Sequence, residues 1–438
     1  MSLAMSLHGR GPAGTVARTA TVVSRFGATT SAMARRLDRY DTITSGFGIR
    51  PTLPATACVL ARHPDLLRRY AERGIEIALH GLVHGDHAVL DERRQRETIE
   101  RAVGIFERHG FQPTGFRGPY LRYNAATLDV LRALGLRYHS SQAVSFPLLT
   151  ADPGASATAS YHLALRLYSA VDARRVAVTP RLEGGLVDMP VAVPDDEILL
   201  DRLRLDGTAR TAEWRHILGI TYARGELFTI QLHPERIDEL GDALGAVLSD
   251  ARRLRPAVYV ARLDDIASWW LRRSGFSLRV TRSGEHRARV HLEADDDATL
   301  LTRGLRVAST PWHGRDAITE LRDFEVEAAR LPVVSVSRRS PEAVRRFVAE
   351  EGFAFEISDD GQAYGAHVDV ADASWSETDV LDTIEKAPGP LVRVWRWPDG
   401  ARSALAATGD IDALTLRDFV VRSWETRDWV PSAGKGRL

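Results

Sequence analysis

The chain has 438 residues, 44% of them hydrophobic and 26% charged, with 58 basic side chains against 58 acidic ones. Such a chain is long enough for two folded domains, and its balanced charge gives no overall field that would attract nucleic acid or an anionic membrane. The single cysteine, Cys58, excludes an intramolecular disulfide; with no apolar run of signal-peptide or membrane-spanning length, the cytoplasm is the expected compartment.

Residues 1–15 are small and Gly-rich, and read as a flexible N-terminus. From there to about residue 273, apolar runs and helical periods alternate. Residues 19–23 (TATVV) form a short β-branched run and 29–43 have a helical period. Residues 54–61 (PATACVLA) read as a buried strand. Residues 64–74 begin with Pro and end with Gly, as a helix does. Strands are expected at 75–80, 115–120, 136–141, 185–191 and 227–233, with helices at 92–110 and 125–135. Residues 257–273 close the region as a strand followed by a helix. Strands separated by helices imply a parallel sheet or barrel, with chemistry at the strand C-terminal ends. Beyond residue 273 the pattern changes to short alternating segments with turns. A strand–helix–strand unit follows at 331–358, then two strands around Pro398-Asp399-Gly400 and a final helix capped by Thr415.

Histidines mark the first candidate site. His80 and His84 stand four apart just past a strand, a spacing that can share a metal ion; Asp86 and His87 follow within three residues. Downstream, Arg117, Pro119 and Tyr120 lie in FRGPY, and His233 stands where an apolar run breaks at Pro234. Taken singly, each has a bland reading: loop histidines, a turn with an ion pair, a packing histidine. Paired tryptophans at 269–270 and 395/397 suit sugar stacking but are more often core. The acidic run 294–299 lacks the spacing of a cation loop, and His313 beside Trp312 reads as packing.

The order of the segments resembles that of the polysaccharide deacetylase superfamily, the carbohydrate esterase family four and its relatives. EIALHGLVHGDH resembles its His-(Ser/Thr)-x-x-x-His motif, with Gly81 in the Ser/Thr place. FRGPY matches Arg-x-Pro-Tyr, and LRYHSS the Tyr-Asp-Ser-Ser strand with His139 for the Asp. LVDMPVAVPDD resembles the segment that commonly follows, and IQLHPERI the late Leu-His motif. The resemblance covers about residues 20–272. It implies a distorted (β/α) barrel and one divalent metal held by His80, His84 and an Asp. The metal would be Zn by first choice, with Co, Ni and Fe accepting the same set. It further implies an Asp base oriented by Arg117, His233 as acid, and Tyr120 lining the substrate site. The substrate would be an N-acylated amino sugar or similar small molecule.

The pattern breaks at its first motif, an Asp-Asp pair ending strand one. Arg25 and Phe26 occupy those places before Gly27, and neither can do the work: an arginine is no base at neutral pH and a phenylalanine binds no metal. Yet the far C-terminus carries SALAATGDIDAL, an apolar strand ending in Asp410-Ile-Asp412. It resembles a displaced first strand. Four readings follow: a permuted strand that returns both acids to the metal; the stub of a duplicated domain; a solvated pair of acids; or Asp86 or His87 as the third ligand.

The expected architecture is therefore a deacetylase-type barrel over 16–273, a small α+β domain over 274–390, and a strand–helix segment, 391–438, docking on the barrel. A strand swapped between chains would imply a homodimer. The favoured function is metal-dependent amide hydrolysis with Asp410 and Asp412 completing the site, Asp412 as the third ligand. The alternatives are a carbohydrate-binding pseudoenzyme that has lost catalysis and a partner-binding scaffold.

Overall fold

The computed structural model describes residues 25–149, 154–372, 374–427 and 429. The Gly-rich N-terminus and the strand expected at 19–23 lie outside the described residues. Nine strand segments build the barrel: β1 (Thr52–Ala55), β2 (Glu76–Leu79), β3 (Gly115–Phe116), β4 (Tyr138–His139), β5 (Ala143–Ser145), β6 (Leu186–Asp188), β7 (Val191–Val193), β8 (Leu227–Leu232) and β9 (Ser403–Gly409). The parallel ladder runs β8–β9–β1–β2–β3–β4–β6. After short breaks β4 and β6 continue as β5 and β7, which pair with each other. β7 then lies beside β8 without laddering to it, closing the ring. This is a distorted (β/α) barrel, with helices such as Ser31–Gly46, Glu92–Arg108, Gly207–Arg224 and Ile237–Arg253 around it.

The strand from the C-terminus thus fills the gap between β8 and β1. Its register is well defined: Leu227 to Leu232 pair in order with Ala404 to Gly409, and Thr52 pairs with Thr408. Strand β9 fits because it is narrow. Ala404, Ala406 and Ala407 let neighbouring strands close in, while Leu405 fills the core, and all four are at most 1% exposed. The return is within one chain, so no strand swap is needed to complete the barrel. Leu405→Ala is expected to lower unfolding free energy by about 2–5 kcal/mol, measured by urea titration; a loss under about 1 kcal/mol would mean that β9 contributes little to the core.

Three sequence expectations are corrected by the fold. The strand expected over 54–61 stops at Ala55, and Ala57–Arg62 is a helix. Its first amides, those of Ala57 and Cys58, bond the carbonyls of Gly81 and Leu82, so the chain bends off the sheet at that point. The two strands around Pro398-Asp399-Gly400 do not pair with each other. The first, Leu391–Val394, joins Leu300–Arg303 in a separate antiparallel sheet, and only from Ser403 does the chain run in the barrel. The segment expected from 391 therefore begins twelve residues later.

Between the helix Leu263–Arg273 and β9 lie three small sheets. One is antiparallel (Ser277–Gly284, Arg287–Glu293, Asp323–Glu327), one contains Leu300–Arg303 and Leu391–Val394, and one is parallel around Leu331–Val336. The tryptophan pairs sit at the joint: Trp269, Trp270, Trp395 and Trp397 are at most 6% exposed and share one apolar cluster. Their burial makes them core. Asp295 and Asp297 pair with Arg272 on the surface. Among the described residues, no helix is long and apolar enough to cross a membrane.

Candidate metal centre and acid–base site

The principal site candidates lie at the C-terminal rim of the barrel strands. His80 follows β2, Arg117 follows β3, His233 follows β8, and Asp410 and Asp412 follow β9. Ladder geometry brings them together. Asp410 N–H donates to the Leu232 carbonyl at 3.0 Å, and Ile411 N–H to that of Pro54 at 2.7 Å, which locks the acidic end of β9 between its neighbours.

His80, His84 and Asp412 form one cluster whose ligand-capable atoms lie within 4.8 Å of one another. His80 Nε2 is 3.4 Å from Asp412 Oδ1, and His84 Nε2 is 3.2 Å from Asp412 Oδ2. His80 Nδ1 lies 2.8 Å from the Arg117 carbonyl, which can only accept. That bond fixes the tautomer and leaves the Nε2 lone pair facing the cluster. His80 Nε2 and Asp412 Oδ1 are both buried without a hydrogen-bond partner. Burial holds His84 well below the usual histidine range, against the opposing pull of Asp412. Asp412 stays an anion well below the usual carboxylate range; burial pushes it up, but His84, His80, His233 and Arg422 outweigh that. Two imidazoles, a carboxylate and two buried ligand-capable atoms without hydrogen-bond partners fit a divalent ion.

Asp410 is held differently. Arg117 Nη1 donates to its Oδ1 at 3.0 Å and Gln231 Nε2 to its Oδ2 at 2.7 Å. Arg117 is itself fixed by the Ser140 carbonyl, Ser140 Oγ and Thr408 Oγ1. The two acids are thus set apart, one among imidazoles and one in an arginine–glutamine clamp.

His233 is gripped by Asp196, which accepts from its Nδ1 and its backbone N–H, each at 3.0 Å. Burial pulls the ring down, but the Asp196 charge and hydrogen bonds outweigh it and hold His233 well above its ordinary range. Its Nε2 stands 4.0 Å from Asp412 Oδ2. Tyr120 sets its ring edge-on to His84 at 4.4 Å between centroids. It does so from a left-handed backbone (φ 59°), continued by Leu121 (φ 55°), a conformation that costs a non-glycine residue energy and is seen mostly where function requires it.

The remaining sequence candidates separate from the cluster. Asp86 pairs with Arg122 at 2.7 Å and caps Ala88. His87 packs on Phe116 and Trp429. Neither joins the His80–His84–Asp412 cluster. Arg25 lines the cleft 3.7 Å from Asp201, and Phe26 stacks on Phe419 of the C-terminal helix. His139, in the Asp place of its motif, faces Asp188 at 3.5 Å and lies outside the cluster.

Three functional residues carry no signal of their own in the sequence. Asp196 ends LVDMPVAVPDD, and its role depends on β7 meeting β8. Gln231 points inward by strand alternation from a run that reads as apolar. Arg422, on the helix Leu416–Glu425, donates to Asp412 Oδ2 at 2.9 Å. The capping box of Thr415 and Asp418 starts that helix and so places Arg422 over the acid.

Gly81 explains its own departure from Ser/Thr. Its φ is +77°, and a Cβ there would stand 2.4 Å from the His87 ring. Gly81→Ser is expected to lower stability by about 1–3 kcal/mol, read as a lower urea midpoint; an unchanged midpoint would show that His87 yields freely.

Residues 28–139 match the family model described as polysaccharide deacetylase. A curated relative, "Peptidoglycan deacetylase-like protein FGM2" of Gibberella zeae, is 35% identical over 71 residues, 16% of this chain and 21% of its own. The match therefore spans about a fifth of that relative's length. Among solved structures, a "putative polysaccharide deacetylase from Mycobacterium smegmatis" aligns at TM-score 0.43 and 21% identity, over 57% of this chain and 81% of that one. A "probable Polysaccharide deacetylase from Pseudomonas aeruginosa PAO1" aligns at TM-score 0.42 and 19% identity, over 54% and 73%. The segment matched by the family model contains His80, His84, Arg117 and Tyr120.

Proposed function

We infer that the barrel rim hydrolyses an N-acyl amide of a carbohydrate, such as an N-acetylated amino sugar, with a divalent ion held by His80, His84 and Asp412. The observation that carries this reading is the delivery of Asp410 and Asp412 by β9 to the His80–His84 pair, at 3.4 and 3.2 Å for Asp412. A bound ion would supply Lewis acidity toward the acyl oxygen and a lowered water pKa. The chain's own groups do the rest. Asp410, clamped by Arg117 and Gln231, takes a proton from the attacking water. His233, kept protonated by Asp196, gives one from Nε2 to the departing amine. Tyr120 walls the cleft beside His84.

The test is acetate release from N-acetylglucosamine oligomers by protein of measured metal content, before and after chelation. The expected result is release that disappears with the metal and returns on adding Zn, Co or Ni. Metal-loaded protein that releases no acetate from any N-acylated sugar would overturn the reading. One observation favours a binding protein without catalysis: the Arg422 guanidinium competes with an ion for Asp412 Oδ2. That reading predicts metal-free protein that still binds the oligomers.

A further inference from the structure

A second cavity, of about 520 Å³, lies away from the rim between the end of the helix Gly207–Arg224 and the small sheets. Its wall includes Arg303, Arg393, Arg396 and Arg402, each at most 9% exposed. Burying a guanidinium costs several kcal/mol unless an anion accompanies it. Three of the four have one: Arg393 and Arg396 share Glu351, and Arg303 pairs with Asp316 and Glu385. Arg402 has none among the described residues. It donates to the Ala223 carbonyl, leaves Nε without a partner, and stacks on Trp395 and Trp312 at 4.9 and 5.4 Å. Arg303 Nη1 is likewise buried without a partner. Among the described residues the wall also carries Asp379 and Asp382, which are not fully buried, and the buried Glu226, pushed up to about 7 by burial against the opposing pull of Arg396 and Arg224. Burial brings Arg402 down only to about 10, which leaves it charged at neutral pH.

We propose that this cavity binds a small molecule through a phosphate or carboxylate oxyanion, with Arg402 as its anchor and Arg303 as a second donor. The volume suits a metabolite rather than a bare ion. Planar guanidiniums fixed on tryptophan faces suit bidentate oxyanion contacts. The site is independent of the rim chemistry and stands or falls apart from it.

The experiment is calorimetric titration of the full chain with inorganic phosphate and, separately, citrate, at constant ionic strength against sodium chloride. A saturable isotherm is expected with at least one of them, weakened at least about tenfold in Arg402→Gln and partly kept in Arg402→Lys. Phosphate alone selects a phosphorylated ligand, and citrate alone a carboxylate. Heats equal to those of chloride with both probes, or unchanged affinity in Arg402→Gln, overturn the proposal. Should Arg402→Gln fail to fold, the wild type still decides. His313 lines this cavity and is exposed, so its imidazole resonances, assigned with His313→Gln, must shift along the same isotherm; resonances that stay fixed while the probe binds put the anion elsewhere.

Discussion

Asp412→Asn is expected to lower metal occupancy by more than about tenfold, against about one divalent ion per chain expected for the wild type, as read by elemental analysis. The substitution keeps the shape of the side chain. What it removes is the charge that His80 and His84 share, and two imidazoles alone are a weak site for a hard-to-borderline cation. Any amide hydrolysis is expected to fall with the ion. The same protein should not be rescued by His87 or Asp86, because His87 is packed under Trp429 and Asp86 is bonded to Arg122. Equal metal in Asp412→Asn and wild type would sink the assignment of the C-terminal strand as ligand donor.

Asp410→Asn separates the two acids. Here metal content is expected to stay at the wild-type level while kcat drops by about 10²–10⁴, the range that a positioned proton acceptor contributes. KM should move little, since both carboxylate oxygens of Asp410 are engaged by the Arg117–Gln231 clamp. Rates within a few-fold of wild type would transfer the base role elsewhere. The paired outcome, metal lost in one variant and turnover lost in the other, distinguishes a divided site from a merely fragile one.

Much of the rim is legible in the amino-acid sequence. His80, His84, Arg117 and His233 each end or follow an apolar run, and strand-end placement in an α/β barrel follows from that alternation alone. The local chemistry of Thr415 as a helix cap is equally readable. The change from strand to helix within 54–62 is not, because an apolar run of eight residues suits either state. The partners of the acids are hidden for another reason: Arg117 and Asp410 are 293 residues apart and Gln231 and Asp410 179, and no local pattern reports a ladder that distant.

Local pattern is thus enough for a parallel sheet or barrel, the histidine pair, the arginine and the late histidine, since each depends on short-range periodicity and on what a side chain can do, whereas the kind of barrel is implied by the family resemblance. It also shows both acids, at the end of an alanine-rich strand. Three things come from the folded chain alone: that this strand lies between β8 and β1, that Asp412 rather than Asp86 or His87 joins the histidines, and that Asp410 is clamped while Arg422 leans on its neighbour. The physical reason is that a parallel strand's place in a sheet is set by hydrogen bonding and side-chain fit with strands far off in the chain. A gap between two strands is filled by whichever segment matches its width and register, wherever in the sequence that segment lies.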